Sequence, residues 1–481
     1  MSEEKYPVKF RGSRLFAFIP MIIFLAFCII YFVVFKVFDM NALAVGGFLG
    51  LLVGALFTKT YDKYWDAALN GIASSTSISI VVILLFIGMF TKLMAVSGVS
   101  DGFVWLAYEI GIEGGIFTGF TFLASCLIAT ATGSSIGTLS TVFPILYPAG
   151  VLMGGNPGVI AGAILSGAIF GDNLAPISDV TIASTTNQRF RKKEGNADIG
   201  GTVAYRLKYA LTAGTISFIL FVIFGGGGAA HGGDAEAILQ ESMDPKGLIM
   251  LIPVACLLFV SIRTRNIFKA VTTGLVTGIV IGIASGAFGW ADILSIQEGN
   301  PAGFIYDGFV GMIGIGLFCM ALFGAMGVLE ESGMLSLVIE KIGSSSVART
   351  ARGTELLIMI GAMLTTLLVG GVTSASTLTF GPIADELGAK QEIHPYRRAN
   401  LLTGFANTFP AILPFISAFI FISLSVLDPM VAESSYLPSV SPMEMFCGAF
   451  YPMILFVVLF VSILTGWDRI YEGEGGKAVK K

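Results

Sequence analysis

Long apolar segments recur along the whole chain, and their lengths limit its fold more than any other feature. A helix of about 20 residues crosses a hydrocarbon core of about 30 Å. A window of that length gives fourteen apolar segments, at residues 16–38, 42–58, 72–94, 115–132, 136–152, 157–185, 203–229, 247–261, 268–288, 305–329, 354–371, 377–388, 397–427 and 443–466. Segment 377–388 is too short to cross alone at about 1.5 Å per residue, so we expect one arm of a broken or re-entrant helix. The sequence therefore predicts an all-α polytopic membrane protein with about 14 transmembrane segments.

The composition supports this class and excludes several others. Hydrophobic residues make up 55% of the chain and charged residues only 12%, far from the balance found in soluble domains. The net charge of -4 gives no sign of a nucleic-acid partner. The five cysteines lie in apolar segments without a CxxC pair, so we predict neither a disulfide framework nor a zinc site. The sequence also has no HExxH motif and no nucleophile paired with a base, so we expect no enzyme activity and no cofactor.

The distribution of basic residues predicts how the segments are oriented. Lys and Arg gather in alternate loops, including residues 189–193 and the pair Arg397 and Arg398, and the positive-inside rule places these loops in the cytoplasm. The opposite loops, such as residues 95–114, are acidic. We expect Lys92, at the end of its helix, to extend outward to the membrane surface. The sequence thus predicts a multi-pass protein of the cell membrane, the inner membrane where there are two, with both termini in the cytoplasm.

A weak repeat relates the two halves of the chain. At an offset of 238 residues three prolines of the first half coincide with three of the second, namely Pro144, Pro157 and Pro176 with Pro382, Pro395 and Pro414. Each half then holds seven segments, and an odd number forces opposite orientations, as in the inverted repeats of many transporters. We expect a first repeat at 1–229, an acidic external linker at 230–246, a second repeat at 247–466 and a cytoplasmic tail at 467–481. The alternative is that the prolines coincide by chance.

Each half also contains a run of Gly, Ser and Thr where an apolar helix would otherwise continue, at residues 130–138 and 370–377. Such residues weaken a helix, and a broken helix frees backbone groups that lipid cannot satisfy. Irregular backbone is tolerated at membrane depth where it lines a wet cavity, and its oxygens suit a hard cation such as Na⁺. The alternative is close packing of small residues, as in GxxxG motifs. The candidate ligands are the hydroxyls of Thr132, Ser134, Ser135, Thr373, Ser374 and Ser376.

Two carboxylates flank a second break in the first half, within the sequence GDNLAPISDVTIAS at residues 171–184. A carboxylate at bilayer depth is costly unless it is paired, protonated or in contact with water, so Asp172 and Asp179 are predicted functional residues. The alternative is that the apolar segment ends early and both aspartates lie in the cytoplasmic loop that follows. At the same offset the second half has Pro410 and Ser417, so the carboxylates are confined to the first half.

This stretch resembles the signature of the NhaC-type sodium/proton antiporter family, which has the form G-D-x-x-(S/A)-P-(L/I)-S-D-x-T. The hydroxyl-rich runs are similar to those of the ion-transporter superfamily to which that family is usually assigned. The resemblance implies a secondary transporter of inverted repeats that exchanges Na⁺ for H⁺, and it adds Pro176, Ser178 and Thr181 to the site. The tripeptide Asn-Leu-Ala at residues 173–175 stands where many of these antiporters have Lys-Met-Ser, which removes a cation beside the first aspartate.

We expect Asp172 or Asp179 to carry the exchanged proton and to bind Na⁺, with Asn173, Ser178, Thr181 and the hydroxyl runs completing the shell. Na⁺ bound by an ionised carboxylate competes with a proton. One site that binds either ion therefore gives antiport when alternating access exposes it to each side in turn.

The alternative function is Na⁺-coupled transport or exchange of a small organic solute, such as an amino acid or a carboxylate. No Arg or Lys is evident at membrane depth to meet the carboxylate of such a solute, which favours the inorganic ion. The expected partners are Na⁺, H⁺ and the lipid bilayer. The sequence leaves open an organic solute and a homodimer.

Overall fold

A computed structural model describes residues 6–35, 40–176, 178–228, 243–264, 266–297, 299–343, 345–368, 371–414, 417–434 and 436–480. These residues are mostly helical. The α-helices are α1 Ile19–Cys28, α2 Met40–Leu56, α3 Tyr61–Ile72, α4 Ser75–Val96, α5 Val99–Glu109, α6 Gly114–Thr132, α7 Ser135–Leu152, α8 Pro157–Leu174, α9 Asp179–Thr186, α10 Ile199–Phe224, α11 Leu251–Thr264, α12 Ile267–Ser285, α13 Trp290–Ile293, α14 Phe304–Gly311, α15 Ile313–Glu331, α16 Met334–Gly343, α17 Ala351–Leu368, α18 Thr373–Lys390, α19 Pro395–Ala411, α20 Ala418–Glu433, α21 Pro442–Gly448 and α22 Phe450–Thr465.

The remaining regular elements are short. The 3-10 helices are Arg14–Phe18, Pro245–Met250, Ser346–Arg349 and Glu474–Gly476, and Ile29–Val34 is a π-helix. Two antiparallel strand pairs are formed by β1 Ser295–Gln297 with β2 Asn300–Ala302 and by β3 Tyr471–Glu472 with β4 Ala478–Val479.

Within the described ranges, nine helices are long and apolar enough to cross a membrane, or ten if α21 and α22, which meet at 56°, form one span. The predicted count of about fourteen is not confirmed. Hydropathy alone counts shorter helices as spans; α2, for example, has 17 residues. The predicted segment 377–388 lies inside α18. The predicted linker 230–246 falls mostly outside the described residues.

Sequence signals explain where the helices at the centre of the molecule begin. Ser134 caps α7, and its Oγ accepts a hydrogen bond from the Gly137 amide at 3.1 Å. Asn156 caps α8 in the same way, and Pro157 takes the first helical position, where an amide has no partner in the helix. Pro395 takes the same position in α19. Two of the prolines that align the halves therefore mark helix starts.

α6 and α7 form a helical hairpin, called here the first hairpin, with its tip at Gly133 and Ser134. The ends of the two helices that lie away from the tip also meet, since the Gly114 amide donates to the Met153 carbonyl at 2.7 Å. Gly133 has a φ of +66°, a left-handed conformation that glycine adopts without the strain a Cβ would cause. The tip lies within the predicted run at 130–138.

α17 and α18 form the second hairpin. Gln391 Nε2 donates to the Ala348 carbonyl at 2.9 Å, so the chain just outside α18 contacts the chain just outside α17. The tip lies between Leu368 and Thr373, and Gly371 there has a φ of +81°. This tip lies within the predicted run at 370–377.

The helices of the two hairpins recur at matching positions. α7 begins at Ser135 and α18 at Thr373, and α8 begins at Pro157 and α19 at Pro395, each pair 238 residues apart. The repeat offset read from the prolines is therefore also the spacing of the helix starts.

Each hairpin contacts the other half of the chain through its second helix. Near the end of α7, Tyr147 OH donates to the Pro438 carbonyl at 2.8 Å, beyond α20. On α18, the Gly381 carbonyl accepts from Gln188 Nε2 at 3.0 Å, beyond α9. The first hairpin therefore contacts the chain that follows α20, and the second hairpin contacts the chain that follows α9.

Three basic residues predicted to lie in loops or at the membrane surface are buried instead. Arg397 and Arg398 are 0% exposed within α19, and Lys92 is 5% exposed. Each contacts a carboxylate, on Glu355, Asp385 and Glu433 respectively. Arg397 and Arg398 therefore lie in a helix and not in the predicted loop, because the positive-inside rule counts charges by their place in the sequence and carries no information on distant partners. The partner of Lys92 is a carboxylate whose side chain is 60% exposed.

Candidate functional site

The broken helix formed by α8 and α9 carries both predicted aspartates. α8 ends at Leu174, because Ala175 is extended (φ −65°, ψ +121°) and Pro176 has no amide with which to continue the helix. Asp172 lies in the last turn of α8, and Asp179 is the first residue of α9. Neither aspartate therefore lies in the following loop, so that alternative is wrong.

Asp172 accepts hydrogen bonds from two hydroxyls that come from different elements. Ser178 Oγ donates to Oδ1 at 2.8 Å, and Ser135 Oγ donates to Oδ2 at 2.9 Å. Ser135 is the first residue of α7, so the carboxylate joins the tip of the first hairpin to the break. Asp172 is 6% exposed, and these bonds satisfy oxygens that burial removes from water.

Close packing of α6 against α8 holds Asp172 beside the hairpin. A Cβ on Gly171 would lie 2.1 Å from the Ala129 Cβ and 2.5 Å from the Thr130 amide nitrogen, both on α6. Only the missing side chain of Gly171 allows the two backbones this approach. The small residue beside the aspartate thus sets the distance between the first hairpin and the break.

A cavity of about 660 Å³ lies between the two hairpin tips. Seven of the predicted site residues line it: Asp172, Asp179, Thr132, Ser134, Ser135, Thr373 and Ser374. They come from the tips of both hairpins and from both arms of the broken helix. Segments that are more than 180 residues apart in the sequence, at 172–179 and 373–374, therefore face one space.

The other five predicted residues, Asn173, Pro176, Ser178, Thr181 and Ser376, lie outside the cavity lining. Ser178 contacts the Asp172 carboxylate, as described above. Thr181 Oγ1 donates to the backbone carbonyl of Asp172 at 3.3 Å. Asn173 Oδ1 accepts from Asn407 Nδ2 on α19 at 3.2 Å. Ser376 Oγ contacts Thr366 Oγ1 at 2.7 Å, so it joins the two helices of the second hairpin.

Arg206 is a buried cation that sequence reasoning missed. It lies on α10, is 2% exposed, and its Nη1 donates to the Asn173 carbonyl at 2.6 Å. α10 is long and apolar enough to cross a membrane, so this helix carries a buried cation that the sequence reading did not identify. Arg206 stands inside the predicted segment 203–229, and this position was the signal that could have identified it.

The cavity also has a wall that sequence reasoning did not predict. Ser75 and Ser79 of α4 line it, four residues apart and hence on one face of the helix. Phe318 of α15 and Phe419 of α20 add aromatic surface. The site is therefore rich in oxygen atoms on the hairpin side and largely apolar on the opposite side.

Comparison with known proteins connects this geometry to a family. Residues 7–226 match the model of the Na⁺/H⁺ antiporter family. The malate-2H⁺/Na⁺-lactate antiporter of Bacillus subtilis is 28% identical over 322 residues, which cover 62% of this chain and 65% of that protein. The Na⁺/H⁺ antiporter NhaC of Alkalihalophilus pseudofirmus is 23% identical over 445 residues, 88% of this chain and 90% of that one. The arginine/ornithine antiporter ArcD of Halobacterium salinarum is 23% identical over 451 residues, 87% of this chain and 86% of that one.

The family match includes the whole first hairpin and the broken helix with both aspartates. The relative named NhaC extends the similarity over most of the second half as well. The resemblance drawn from the stretch at 171–184 is thereby confirmed: residues 7–226 match the Na⁺/H⁺ antiporter family, and most of the chain is similar to an antiporter named NhaC.

Proposed function

We propose that this protein is a Na⁺/H⁺ antiporter whose exchange site is the Asp172 carboxylate, in the cavity between the two hairpin tips. The observation that carries the proposal is a buried carboxylate that accepts bonds from Ser135 and Ser178 and also borders a cavity. Carboxylate, hydroxyl and carbonyl oxygens are hard ligands that suit Na⁺. The nearby tips supply further hydroxyls from Thr132 and Thr373.

One carboxylate serves both ions in turn. The ionised Asp172 binds Na⁺ together with serine and threonine oxygens, whose hydrogen atoms can rotate toward other acceptors. When a proton binds the carboxylate, the negative charge that holds Na⁺ is lost. Binding of one ion therefore releases the other, and Asp179 adds a second negative charge on the same cavity.

The contacts of the hairpins support an inverted repeat and alternating access. α7 contacts the chain that follows α20, and α18 contacts the chain that follows α9, which is the reciprocal pattern expected of two repeats of opposite orientation. We propose that the two tips reach the site from opposite sides of the membrane. Movement at one tip or the other would then open the Asp172 site to one side at a time.

Exchange by the purified protein in proteoliposomes with an imposed pH gradient tests this function. Addition of Na⁺ without any organic solute should dissipate the gradient. Asp172→Asn should abolish this dissipation, because the amide neither binds a proton in this pH range nor carries the charge that holds Na⁺. Asp179→Asn should lower the apparent affinity for Na⁺, since it removes the second negative charge from the cavity.

Asp66→Asn is the matched control, because Asp66 is an exposed carboxylate of α3 whose side chain pairs with Lys63 at the surface. It should exchange at the wild-type rate. Full exchange by the Asp172→Asn protein would refute the assignment of the site.

A second candidate function is Na⁺-coupled transport or exchange of a small organic solute. The cavity of about 660 Å³ is larger than Na⁺ requires and falls in the range of small-molecule pockets, and Phe318 and Phe419 give it an apolar wall. Two relatives are named for organic solutes, lactate with malate and arginine with ornithine. The same proteoliposomes decide the matter, since a strict requirement for one of these solutes would overturn simple Na⁺/H⁺ exchange.

A further inference from the structure

Arg206 lies behind the Asp172 site and bonds to three different helices. Its guanidinium donates to the Asn173 carbonyl of α8 at 2.6 Å, to Thr181 Oγ1 of α9 at 2.9 Å and to Thr403 Oγ1 of α19 at 2.9 Å. Two of these acceptors lie on opposite sides of the break, and the third belongs to the second half of the chain. One side chain thus joins both arms of the broken helix to the other repeat.

The bonds continue from these acceptors to the site itself. Thr181 Oγ1 donates in turn to the Asp172 carbonyl at 3.3 Å. Thr403 Oγ1 donates to Ser184 Oγ of α9 at 2.6 Å. The guanidinium therefore reaches Asp172 through one hydroxyl, and it reaches α9 both through Thr181 and through Thr403 with Ser184.

The end of α8 explains why a cation is required there. The last carbonyls of a helix have no partner within it, and a positive charge at that end is favourable. Among the described residues no carboxylate oxygen lies within 4.0 Å of the Arg206 nitrogens, so its direct partners are the Asn173 carbonyl and the hydroxyls of Thr181 and Thr403. Its charge nevertheless interacts with Tyr451 and with the Asp172 carboxylate, and Asp172 in turn is near Asp179.

We infer that Arg206 is a positioning residue for Na⁺ binding, which fixes α9 relative to α8 and couples the break to α19. Ser178, which donates to Asp172, lies on the stretch between the two helices that Arg206 joins. A change at α19 is therefore transmitted to the oxygens around Asp172. This inference rests on the proposed function.

The test compares Arg206→Lys, Arg206→Gln and Thr403→Val with wild type. Two readouts are used, Na⁺-dependent exchange in proteoliposomes and the rise in melting temperature that Na⁺ causes in the detergent-solubilised protein. Lysine keeps the charge and three donors, but all three are on one nitrogen, so it lacks the fixed fork with which Nη1 of Arg206 bonds Asn173 and Thr181 while Nη2 bonds Thr403. Arg206→Lys should therefore keep much of the maximal rate while its KM for Na⁺ rises about tenfold. Arg206→Gln should lose both the maximal rate and the affinity for Na⁺.

Thr403→Val removes one acceptor at constant side-chain shape, and it keeps the inference testable if the Arg206 variants do not fold. Its KM for Na⁺ should rise about three- to tenfold at an unchanged melting temperature without Na⁺. Thr408→Val is the control, since Thr408 is equally buried on α19 but bonds only to the Gly404 carbonyl within its own helix. It should match wild type.

The outcomes separate this inference from the proposed function. A wild-type KM for Na⁺ in both Arg206→Lys and Thr403→Val would overturn the positioning role. If Asp172→Asn loses exchange while those two variants match wild type, the inference alone fails. If Asp172→Asn retains full exchange, the proposed function fails.

Discussion

The buried ion cluster around Glu355 allows a quantitative prediction. Glu355 and Arg397 have side chains that are 0% exposed, and Arg397 Nε donates to Glu355 Oε1 at 2.8 Å. Arg469 also donates to Glu355 Oε2 through Nε at 3.0 Å and through Nη2 at 2.7 Å. One carboxylate therefore compensates two guanidinium groups. Glu355→Gln keeps the shape of this side chain and removes its charge.

The loss of stability expected for Glu355→Gln follows from the hydrogen bonds that the glutamine amide cannot form. The amide nitrogen of glutamine is itself a donor, so it faces the guanidinium donors without forming a bond. Breaking a buried ion pair by removing one partner costs about 3–5 kcal/mol, because a charge remains buried without compensation. We expect Glu355→Gln to lower the free energy of unfolding by this amount. The double variant Glu355→Gln with Arg397→Met should recover at least about 1 kcal/mol, since the fully buried cation is then gone.

Denaturant unfolding in detergent micelles measures the free energy of unfolding of both variants. A variant of an ion pair at the surface serves as the control. Lys63 and Asp66 form an ion pair at 3.3 Å with both side chains 60% exposed. Asp66→Asn should change the free energy of unfolding by less than about 1 kcal/mol, because exposed pairs contribute little. A loss below about 1 kcal/mol for Glu355→Gln, or a double variant less stable than the single one, would refute this account of the cluster.

Two further predictions concern packing and pH. Gly171→Ala should destabilise the protein by about 1–3 kcal/mol and impair exchange, since its Cβ would lie 2.1 Å from that of Ala129. Gly200→Ala is the control, because the nearest atom to its Cβ would be 3.6 Å away, and it should change neither stability nor exchange. Burial and the nearby Asp244 raise the pKa of Asp101 from 3.8 to about 6, so the folded state holds this proton more tightly and loses stability as pH rises between those values. The Asp101→Asn protein should therefore melt above wild type at pH 7.5 and together with it below about pH 4, and equal melting temperatures at pH 7.5 would contradict the prediction.

Local chemistry made parts of the site predictable from sequence. Gly133 and Gly371 adopt left-handed conformations at the two hairpin tips, and Pro176 ends α8. Each of these breaks depends on residues within a few positions of it. For this reason the composition of the runs at 130–138 and 370–377 was enough to place the tips.

Contacts between distant parts of the chain were not predictable in this way. Arg397 pairs with Glu355 across 42 residues, and Arg206 bonds to Thr403 across 197. Nothing in the sequence near any of these residues identifies its partner. The number of membrane spans has a similar limit, because hydropathy does not distinguish a full span from one arm of a broken helix.

Cys319 places a native thiol, a site for chemical labelling, in the lining of the cavity. It lines the cavity from α15, whereas the other cysteines whose side chains are described, Cys126, Cys256 and Cys447, do not. With the remaining cysteines replaced by serine, an impermeant maleimide added to one face of sealed vesicles would label molecules whose cavity opens to that face. Under the proposed alternating access, the Cys319 thiol, which is 9% exposed, would report which compartment the cavity faces without the introduction of a cysteine.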